Sequence, residues 1–304
     1  MANSMMAKET TIDPQDWLLL ILLSILWGAS YFFAGVVVKE MPPLTIVLAR
    51  VTIAAAILVP VHQLMQGPLP RGLSHWAPFI GMAVLNNVIP FSFIVTGQTQ
   101  IASGLASVIN ATTPLFAVII MAASGDEKLV LRKLAGIAIG LAGVIILRGQ
   151  GASAMEGKTL GIALCLSAAV SYGFAGLWGR RRLTGIPPLT SATCQLICSS
   201  IIMALLAGAF DQPWRLPMPS LEAWSALLGF AALSTALAYI VFFQILARSG
   251  AANVLLVTLL VPVTAMFLGY FILNEPLHAG EIVGALVIAS SLLIIDGRVL
   301  RFLR

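Results

Sequence analysis

Charged residues are scarce in this chain of 304 residues, since Asp, Glu, Lys and Arg make up only 10% of it and 59% of the residues are apolar. Soluble domains carry about 25% charged and about 45 to 50% apolar residues. A soluble fold has too little interior for so much apolar surface, and the apolar residues occur in long blocks rather than in half-buried stripes. The composition therefore indicates a protein that lies mostly in a lipid bilayer.

Motifs of enzymes, metal sites and ATP-driven pumps are also missing. The three cysteines, Cys165, Cys194 and Cys198, lie inside apolar runs and predict neither a disulfide framework nor a metal site, so no cofactor is expected. There is no G-x-x-x-x-G-K-[ST] loop for a nucleotide and no H-E-x-x-H or G-x-S-x-G for a hydrolase. The basic residues are scattered and form no face for nucleic acid. We therefore expect neither an enzyme nor a nucleic-acid-binding protein.

Long apolar blocks separated by short polar turns predict ten membrane-spanning helices. A helix needs about 20 residues to cross about 30 Å of hydrocarbon, and it satisfies its own backbone hydrogen bonds there. Between Arg71 and Asp126 no residue is charged, so the polar turn Gly97–Gly104 must divide two of these helices. The predicted helices are 17–38, 44–64, 76–98, 102–122, 130–147, 159–180, 188–208, 221–246, 251–272 and 279–296.

The basic residues favour a cytoplasmic N-terminus. In this orientation twelve Lys and Arg lie on the cytoplasmic side and four on the opposite side, while Arg50 lies within a span. Such an excess is typical of cytoplasmic loops. With an even number of spans, the tails 1–16 and 299–304 are both predicted to be cytoplasmic.

The two halves of the chain repeat each other. Because each half holds five spans, the second copy must enter the membrane from the opposite face, which predicts an all-α fold of two inverted five-helix repeats. We assign 17–149 to the first repeat, 150–158 to a linker and 159–298 to the second repeat. A shift of 148 residues superposes Trp76 on Trp224, Gly81 on Gly229, Pro114 on Pro262, Glu127 on Glu275, Leu129 on Leu277, Gly136 on Gly284 and Gly149 on Gly297.

Several motifs resemble those of EamA-like members of the drug/metabolite transporter superfamily, and the resemblance covers nearly the whole chain. It rests on Trp27-Gly28, on the prolines that precede Arg50, on the Ala102-Ser103-Gly104 to Pro114 pattern and on Asp126-Glu127-Lys128-Leu129. The resemblance implies a transporter of small molecules in a bacterial inner membrane, and some bacterial members export amino acids. The second copy departs from the first, with Gln195 in place of Arg50 and Ala238 in place of Pro90.

A solute pathway needs polar or aromatic side chains that face the interior of the bundle, because the same groups are unfavourable toward lipid. For any single residue, the alternative is a hydrogen bond between helices or a place at the membrane interface. Pro90, Pro114 and Pro262 predict helix breaks with freed carbonyl groups. The candidates for the substrate cavity are Trp27, Ser30, Tyr31, Asn87, Phe91, Gln98, Asn110, Ser171, Tyr172, Trp178, Thr235, Tyr239 and Thr258.

Three charged residues are candidates for gating or for binding a carboxylate. Arg50 is predicted to bind a substrate carboxylate or to close the external gate, and the alternative is a structural residue that snorkels or caps carbonyl groups. Glu127 and Glu275 occupy equivalent helix ends on opposite faces, which suits alternating gates, although carboxylates at helix ends usually face water. No carboxylate lies at mid-membrane, so facilitated diffusion competes with proton antiport.

The sequence and the resemblance together predict an exporter of amino acids, hydrophobic or aromatic ones, that works by alternating access. Alternatives in the same fold are exporters of purines, other metabolites or cationic drugs, and a sensor or assembly subunit that moves no solute is a further class. The expected partners are the substrate and the lipid bilayer. Gly136 with Gly140 and Gly280 with Gly284 permit close helix packing, within one chain or between two, which leaves a monomer and a homodimer open.

Overall fold

The computed structural model describes residues 13–147, 158–254 and 257–296, and these residues form a bundle of helices. Two π-helical segments, Val84–Val88 and Ala232–Leu237, join α3 to α4 and α10 to α11. The α-helices are α1 Pro14–Val37, α2 Pro43–Gln66, α3 Ala77–Ala83, α4 Ile89–Gly97, α5 Ser103–Asn110, α6 Thr113–Ala123, α7 Leu131–Leu147, α8 Lys158–Arg182, α9 Pro188–Phe210, α10 Leu221–Ala231, α11 Ala238–Val254, α12 Val257–Phe271 and α13 Ala279–Asp296.

The described helices account for ten spans. Seven helical stretches are long and apolar enough to cross a bilayer, three of which combine shorter elements: α3 with α4, α5 with α6, and α10 with the start of α11. The shorter helices α7, α12 and α13 supply the other three spans. The prediction of ten helices in two repeats is therefore confirmed. Most of the predicted linker, the tails except residues 13–16, and positions 148, 149, 255, 256, 297 and 298 lie outside the described residues.

Three predicted helices differ from the structure. The eighth helix was expected to end at 246 and the ninth to begin at 251, but α11 continues to Val254 and α12 begins at Val257, since Ala251 and Ala252 favour a helix. The fourth helix was expected to be continuous, but it is interrupted between Asn110 and Thr113. Pro114 has no N–H to donate to the Asn110 carbonyl, which instead accepts a hydrogen bond from Thr113 Oγ1 at 2.7 Å.

Contacts at the span ends show that the second repeat runs opposite to the first. α1 begins beside the end of α11, where Arg248 Nε donates to Asp16 Oδ1 at 2.8 Å. Its counterpart α8 begins at the other face, where Gly161 lies against Gly97 at the end of α4. We name the face at which α1 begins the N-terminal face and the opposite one the distal face.

The two π-helical segments lie at repeat-equivalent positions, because a shift of 148 residues moves Val84 onto Ala232. A π-turn diverts a backbone N–H from its usual acceptor, as Ile89 N–H here donates to Val84 O rather than to Leu85 O. The freed Leu85 carbonyl accepts a hydrogen bond from Ser171 Oγ of α8 at 2.7 Å. Such segments are frequent at functional sites, and their recurrence shows that the repeat includes a backbone irregularity.

The fifth and tenth spans pack against each other, with glycines at the closest approach. A Cβ added at Gly284 would lie 2.5 Å from Leu147 Cδ2 and 3.0 Å from the Gly143 carbonyl oxygen. Gly136 is equally close to α13, where a Cβ would lie 3.0 Å from the Ser291 carbonyl oxygen. Gly280 is more open, since its nearest neighbour is 3.5 Å away. The glycine pairs thus serve packing within the chain, and Gly280 contributes least.

Gly284→Ala is expected to lower stability by about 1 to 3 kcal/mol, because the added methyl group overpacks the contact between α7 and α13. Gly280→Ala on the same helix should be neutral or stabilising, since space is available and alanine favours a helix. The thermal unfolding midpoint of each purified variant in detergent measures the difference. Equal shifts in the two variants would contradict this account of the packing.

Candidate substrate site

Arg50 of α2 lies at the centre of the candidate site. Its side chain is buried, with the guanidinium carbon 3.6 Å from the ring centre of Phe91 and 4.1 Å from that of Phe230. Arg50 Nε donates to Thr235 Oγ1 at 2.9 Å, and Thr235 Oγ1 donates onward to the Phe230 carbonyl at 3.0 Å. The cation is therefore held between two aromatic faces, an arrangement that is attractive in a desolvated setting.

No carboxylate neutralises this cation among the described residues, because none of their ion pairs includes Arg50. Its one hydrogen bond to the described part of the chain is the one from Nε, so the two terminal nitrogens have no protein acceptor there. A charge at such depth is unfavourable by about 2.5 to 3.5 kcal/mol on insertion scales. The arrangement can bind an anionic group through donors that are already in place.

A polar network surrounds Gln195 of α9, the repeat counterpart of Arg50. Asn86 Nδ2 donates to Gln195 Oε1 and to the Tyr239 hydroxyl, at 3.1 Å in both cases. The Tyr239 hydroxyl donates to Asn87 Oδ1 at 3.2 Å, and Asn87 Nδ2 donates to Ser199 Oγ at 2.9 Å. The network thus connects the first π segment with α9 and α11.

Sequence reasoning missed four residues of this site: Asn86, Gln195, Ser199 and Phe230. The repeat carried a signal for Gln195, because an interior position occupied by Arg50 in one half is a site candidate in the other. Asn86 could have been found as part of an adjacent amide pair in an apolar span. Ser199 and Phe230 carry no such signal, since serine and phenylalanine are ordinary residues of membrane helices.

Three tyrosines from different helices lie near the cation. Tyr31 of α1, Tyr172 of α8 and Tyr239 of α11 are all close enough to interact electrostatically with Arg50. The Tyr31 carbonyl also accepts a hydrogen bond from Gln98 Nε2 at 2.8 Å. Five predicted candidates, namely Tyr31, Phe91, Tyr172, Thr235 and Tyr239, are therefore brought together around Arg50.

Aromatic rings extend this site along α1 and α11. The Trp27 and Phe242 ring centres are 5.6 Å apart, and those of Phe242 and Phe243 are 5.1 Å apart. Phe243 stacks on Tyr239 with a ring separation of 6.0 Å. Such a wall offers a hydrophobic or aromatic ligand favourable ring contacts.

Other predicted candidates form local contacts instead. Ser30 Oγ donates to the Trp27 carbonyl within its own helix at 2.6 Å, and Ser171 binds the carbonyl freed in the first π segment. The Trp178 indole donates to the Pro78 carbonyl at 2.9 Å, near the start of α3. These contacts give Ser30, Ser171 and Trp178 structural roles, and Trp178 lies at the N-terminal face, away from the Arg50 group.

Thr258 lies at a cavity of about 180 Å³ between α5, α12 and α13. Its lining is almost entirely apolar and includes Val108, Pro262 and Leu286. Neither Arg50 nor its ring partners belong to this lining, so the cavity is separate from the Arg50 group. The expectation that Thr258 joins the other candidates therefore does not fit the structure.

The three prolines differ in their effect on the helices. Pro114 follows the interruption after Asn110, as expected. Pro90 lies where the first π segment passes into α4, so the helix changes type there without ending. Pro262 lies inside the continuous helix α12. The breaks expected at Pro90 and Pro262 therefore do not form, because the helix accommodates the missing N–H.

Glu127 and Glu275 lie on opposite faces but make different contacts. Glu275 accepts hydrogen bonds from the Ser103 backbone N–H at 2.9 and 3.1 Å, at the start of α5. Glu127 instead forms an ion pair with Lys133 of α7. Glu275 thus connects the two repeats at the distal face, whereas Glu127 stays within the first repeat.

Two further carboxylates connect the repeats at the distal face. Asp211 Oδ2 accepts from the Thr45 backbone N–H at 2.7 Å, at the start of α2. Glu40 accepts from the Ser220 backbone N–H at 2.7 Å and from its hydroxyl at 2.6 Å, at the start of α10. Both acids stabilise helix N-termini, where negative charge is favourable. The hydrogen bonds from Ser220 lower the pKa of Glu40.

The contact of Glu40 should depend on pH with a definite sign. Because folding lowers its pKa, its contribution is complete above the usual glutamate pKa of about 4.3 and is lost as the pH falls through the lowered value. Glu40→Gln should therefore lower the unfolding midpoint at pH 7, and the difference from wild type should shrink toward pH 3. Glu222→Gln, at an exposed acid in the first turn of α10, is the control. A difference that stays constant from pH 7 to pH 3 would contradict the assignment.

Ten helices in two inverted repeats, with a buried cation and polar and aromatic side chains between them, are an architecture typical of membrane transporters. The chain belongs to the EamA-like transporter family, which matches residues 16–149 and again residues 159–296. It is therefore a multi-pass membrane protein of the drug/metabolite transporter superfamily.

Relatives cover most of the chain at modest identity. An uncharacterized transporter, YoaV of Bacillus subtilis, is 26% identical over 90% of this chain and 94% of its own length. The uncharacterized inner membrane transporter YedA of Escherichia coli is 29% identical over 86% and 84%. A probable amino-acid metabolite efflux pump of Escherichia coli is 23% identical over 93% and 95%. One crystal structure matches with a TM-score of 0.64 and 18% identity, covering 92% of this chain and 96% of that one, and supports the fold.

Proposed function

We propose that this protein exports amino acids, hydrophobic or aromatic ones, across a bacterial inner membrane by alternating access. One observation carries the proposal: Arg50 is buried between two aromatic rings and has no carboxylate partner among the described residues. A transported amino acid supplies that carboxylate. The similarity to a probable amino-acid metabolite efflux pump supports the same substrate class.

The chemistry of arginine suits a carboxylate ligand. The guanidinium presents parallel N–H donors that match the two oxygens of a carboxylate. Since Nε is fixed by Thr235 and the plane is held between Phe91 and Phe230, the terminal nitrogens are pre-oriented. A cationic drug would be repelled by this charge, which disfavours that alternative.

A hydrophobic side chain fits the remaining surroundings. Trp27 and Phe242 provide one aromatic pair and Tyr239 and Phe243 another, and Phe242 joins the two pairs through Phe243. Burial of an aromatic side chain against them would contribute about 1.5 to 3 kcal/mol. The proposed site therefore combines one charged anchor with an apolar compartment, as ligand sites commonly do.

Alternating access follows from the inverted repeats, because exchanging the conformations of the two halves exchanges the open face. We propose that both termini are cytoplasmic, so that the N-terminal face loads substrate and the distal face releases it.

Efflux from proteoliposomes tests the proposed function. Vesicles that contain the protein are loaded with radiolabelled phenylalanine, leucine or glutamate. They should lose phenylalanine and leucine faster than protein-free vesicles do, whereas glutamate should leave slowly. Repeating the assay with and without a pH gradient distinguishes antiport from facilitated diffusion. Purines and a cationic dye are included as alternative cargo. Amino-acid fluxes equal to those of protein-free vesicles would reject the proposal.

Arg50→Ala should reduce phenylalanine efflux at least tenfold, because the carboxylate loses its charged partner. Arg50→Lys should retain part of the activity, since lysine keeps the charge but not the planar donors. Arg180→Ala, at an exposed position on α8, is the matched control and should transport normally. Gel filtration and the unfolding midpoint show that each variant folds. Full efflux by a folded Arg50→Ala protein would assign Arg50 a structural role.

A further inference from the structure

Two buried amide oxygens have no hydrogen-bond donor among the described residues. They are Gln98 Oε1, near the end of the third span, and Asn110 Oδ1, at the end of α5. Buried acceptors are nearly always paired, because an unpaired one loses its hydration without compensation. Two such oxygens in one region therefore point to a donor that is supplied from outside the protein.

The orientation of the Gln98 amide is fixed by its neighbours. Its nitrogen donates to the Tyr31 backbone carbonyl at 2.8 Å and approaches Ser103 Oγ at 3.0 Å. A carbonyl oxygen accepts hydrogen bonds only, so the NH₂ group must face it and the amide oxygen must point away. The unpaired atom of Gln98 is therefore an acceptor.

Asn110 approaches Tyr31 from another side. Its side chain contacts the Tyr31 side chain, while its own backbone carbonyl is already paired with Thr113 Oγ1. The interruption of the fourth span, which Pro114 causes, holds Asn110 at the end of α5. Gln98 thus contacts the backbone of Tyr31, and Asn110 contacts its side chain.

This tyrosine also lies near Arg50, with which it interacts electrostatically. Arg50 lies seven residues after Pro43, at the start of α2, and Asn110 lies seven residues after Ser103, at the start of α5. At 1.5 Å per residue, both are about 10 Å from the distal ends of their helices. Arg50 and Asn110 therefore share one depth in the bundle, whereas Gln98, which directly follows α4, lies nearer the distal face.

We propose that Asn110 Oδ1 forms a subsite for the ammonium group of the substrate, and that Gln98 Oε1, nearer the distal face, lies outside it. This inference rests on the proposed function and deepens it: Arg50 binds the carboxylate, and Asn110 Oδ1 accepts a hydrogen bond from the α-ammonium group. The ligand is then a free α-amino acid. A carboxylic acid without an amino group, or an N-acylated amino acid, leaves Asn110 Oδ1 without that donor and binds more weakly.

Binding to the purified protein in lipid nanodiscs tests the subsite without requiring transport. The probes are phenylalanine, N-acetylphenylalanine and 3-phenylpropionate, which share the ring and the carboxylate. Wild type should bind phenylalanine at least tenfold more tightly than either analogue. Asn110→Leu, which is similar in volume, should reduce this preference at least fivefold, mainly by weakening phenylalanine. Ser290→Ala, at an exposed site on α13, should leave the preference unchanged.

A second variant keeps the test decisive if Asn110→Leu does not fold. Asn110→Asp is nearly identical in shape and places a charged acceptor at the subsite, so it should increase the preference for phenylalanine over 3-phenylpropionate. Unchanged preference in both folded variants, Asn110→Leu and Asn110→Asp, would overturn the subsite and leave the proposed function intact. Wild-type protein that does not bind phenylalanine would overturn the proposed function, and the subsite with it.

Discussion

The burial of one guanidinium group determines how the two repeats must fit together. Arg50 and the ring of Phe91 come from the first repeat, whereas Phe230 and the hydroxyl of Thr235 come from the second. A cation in hydrocarbon needs such partners, and neither repeat provides all of them. The environment of Arg50 therefore forms only when the halves interlock, which makes the candidate site a product of the interface rather than of either bundle.

The repeats agree in backbone more closely than in chemistry. Both contain a π segment at equivalent positions, yet Gln195 stands where the first repeat has Arg50. The first repeat thus contributes a cation, and the second contributes a neutral amide within a network of Asn86 and Tyr239. A symmetric backbone with unlike side chains gives a site with one anion-binding end. Such a site favours a ligand that binds in one orientation, as a dipolar amino acid would.

The ten spans were predictable from the sequence because the thickness of a bilayer fixes the length of an apolar helix. The repeat was predictable because tryptophan, proline and glutamate rarely match by chance. Side-chain partners were harder to predict: Trp178 lies on an interior-facing helix, but the nearest acceptor for its indole is the Pro78 carbonyl. Spacing along a helix shows which residues share a face, but not which neighbouring helix that face meets. The spacing therefore did not show that Thr258 lies at the apolar cavity between α5, α12 and α13, away from the Arg50 group.

The two faces of the bundle are held together by unlike contacts. At the distal face, Glu40, Asp211 and Glu275 each accept hydrogen bonds from the first turn of a helix in the other repeat. The repeat equivalents of the first two at the N-terminal face are Gly185 and Gln66, which carry no charge. At the N-terminal face, ion pairs join the repeats instead: Arg181 Nε donates to Asp126 Oδ2 at 3.0 Å and Arg248 Nε donates to Asp16 Oδ1 at 2.8 Å. In an alternating-access cycle, opening the distal face would break contacts between carboxylates and helix N-termini, whereas opening the N-terminal face would break ion pairs between side chains. The two openings therefore break different kinds of contact, although the backbones of the repeats are equivalent.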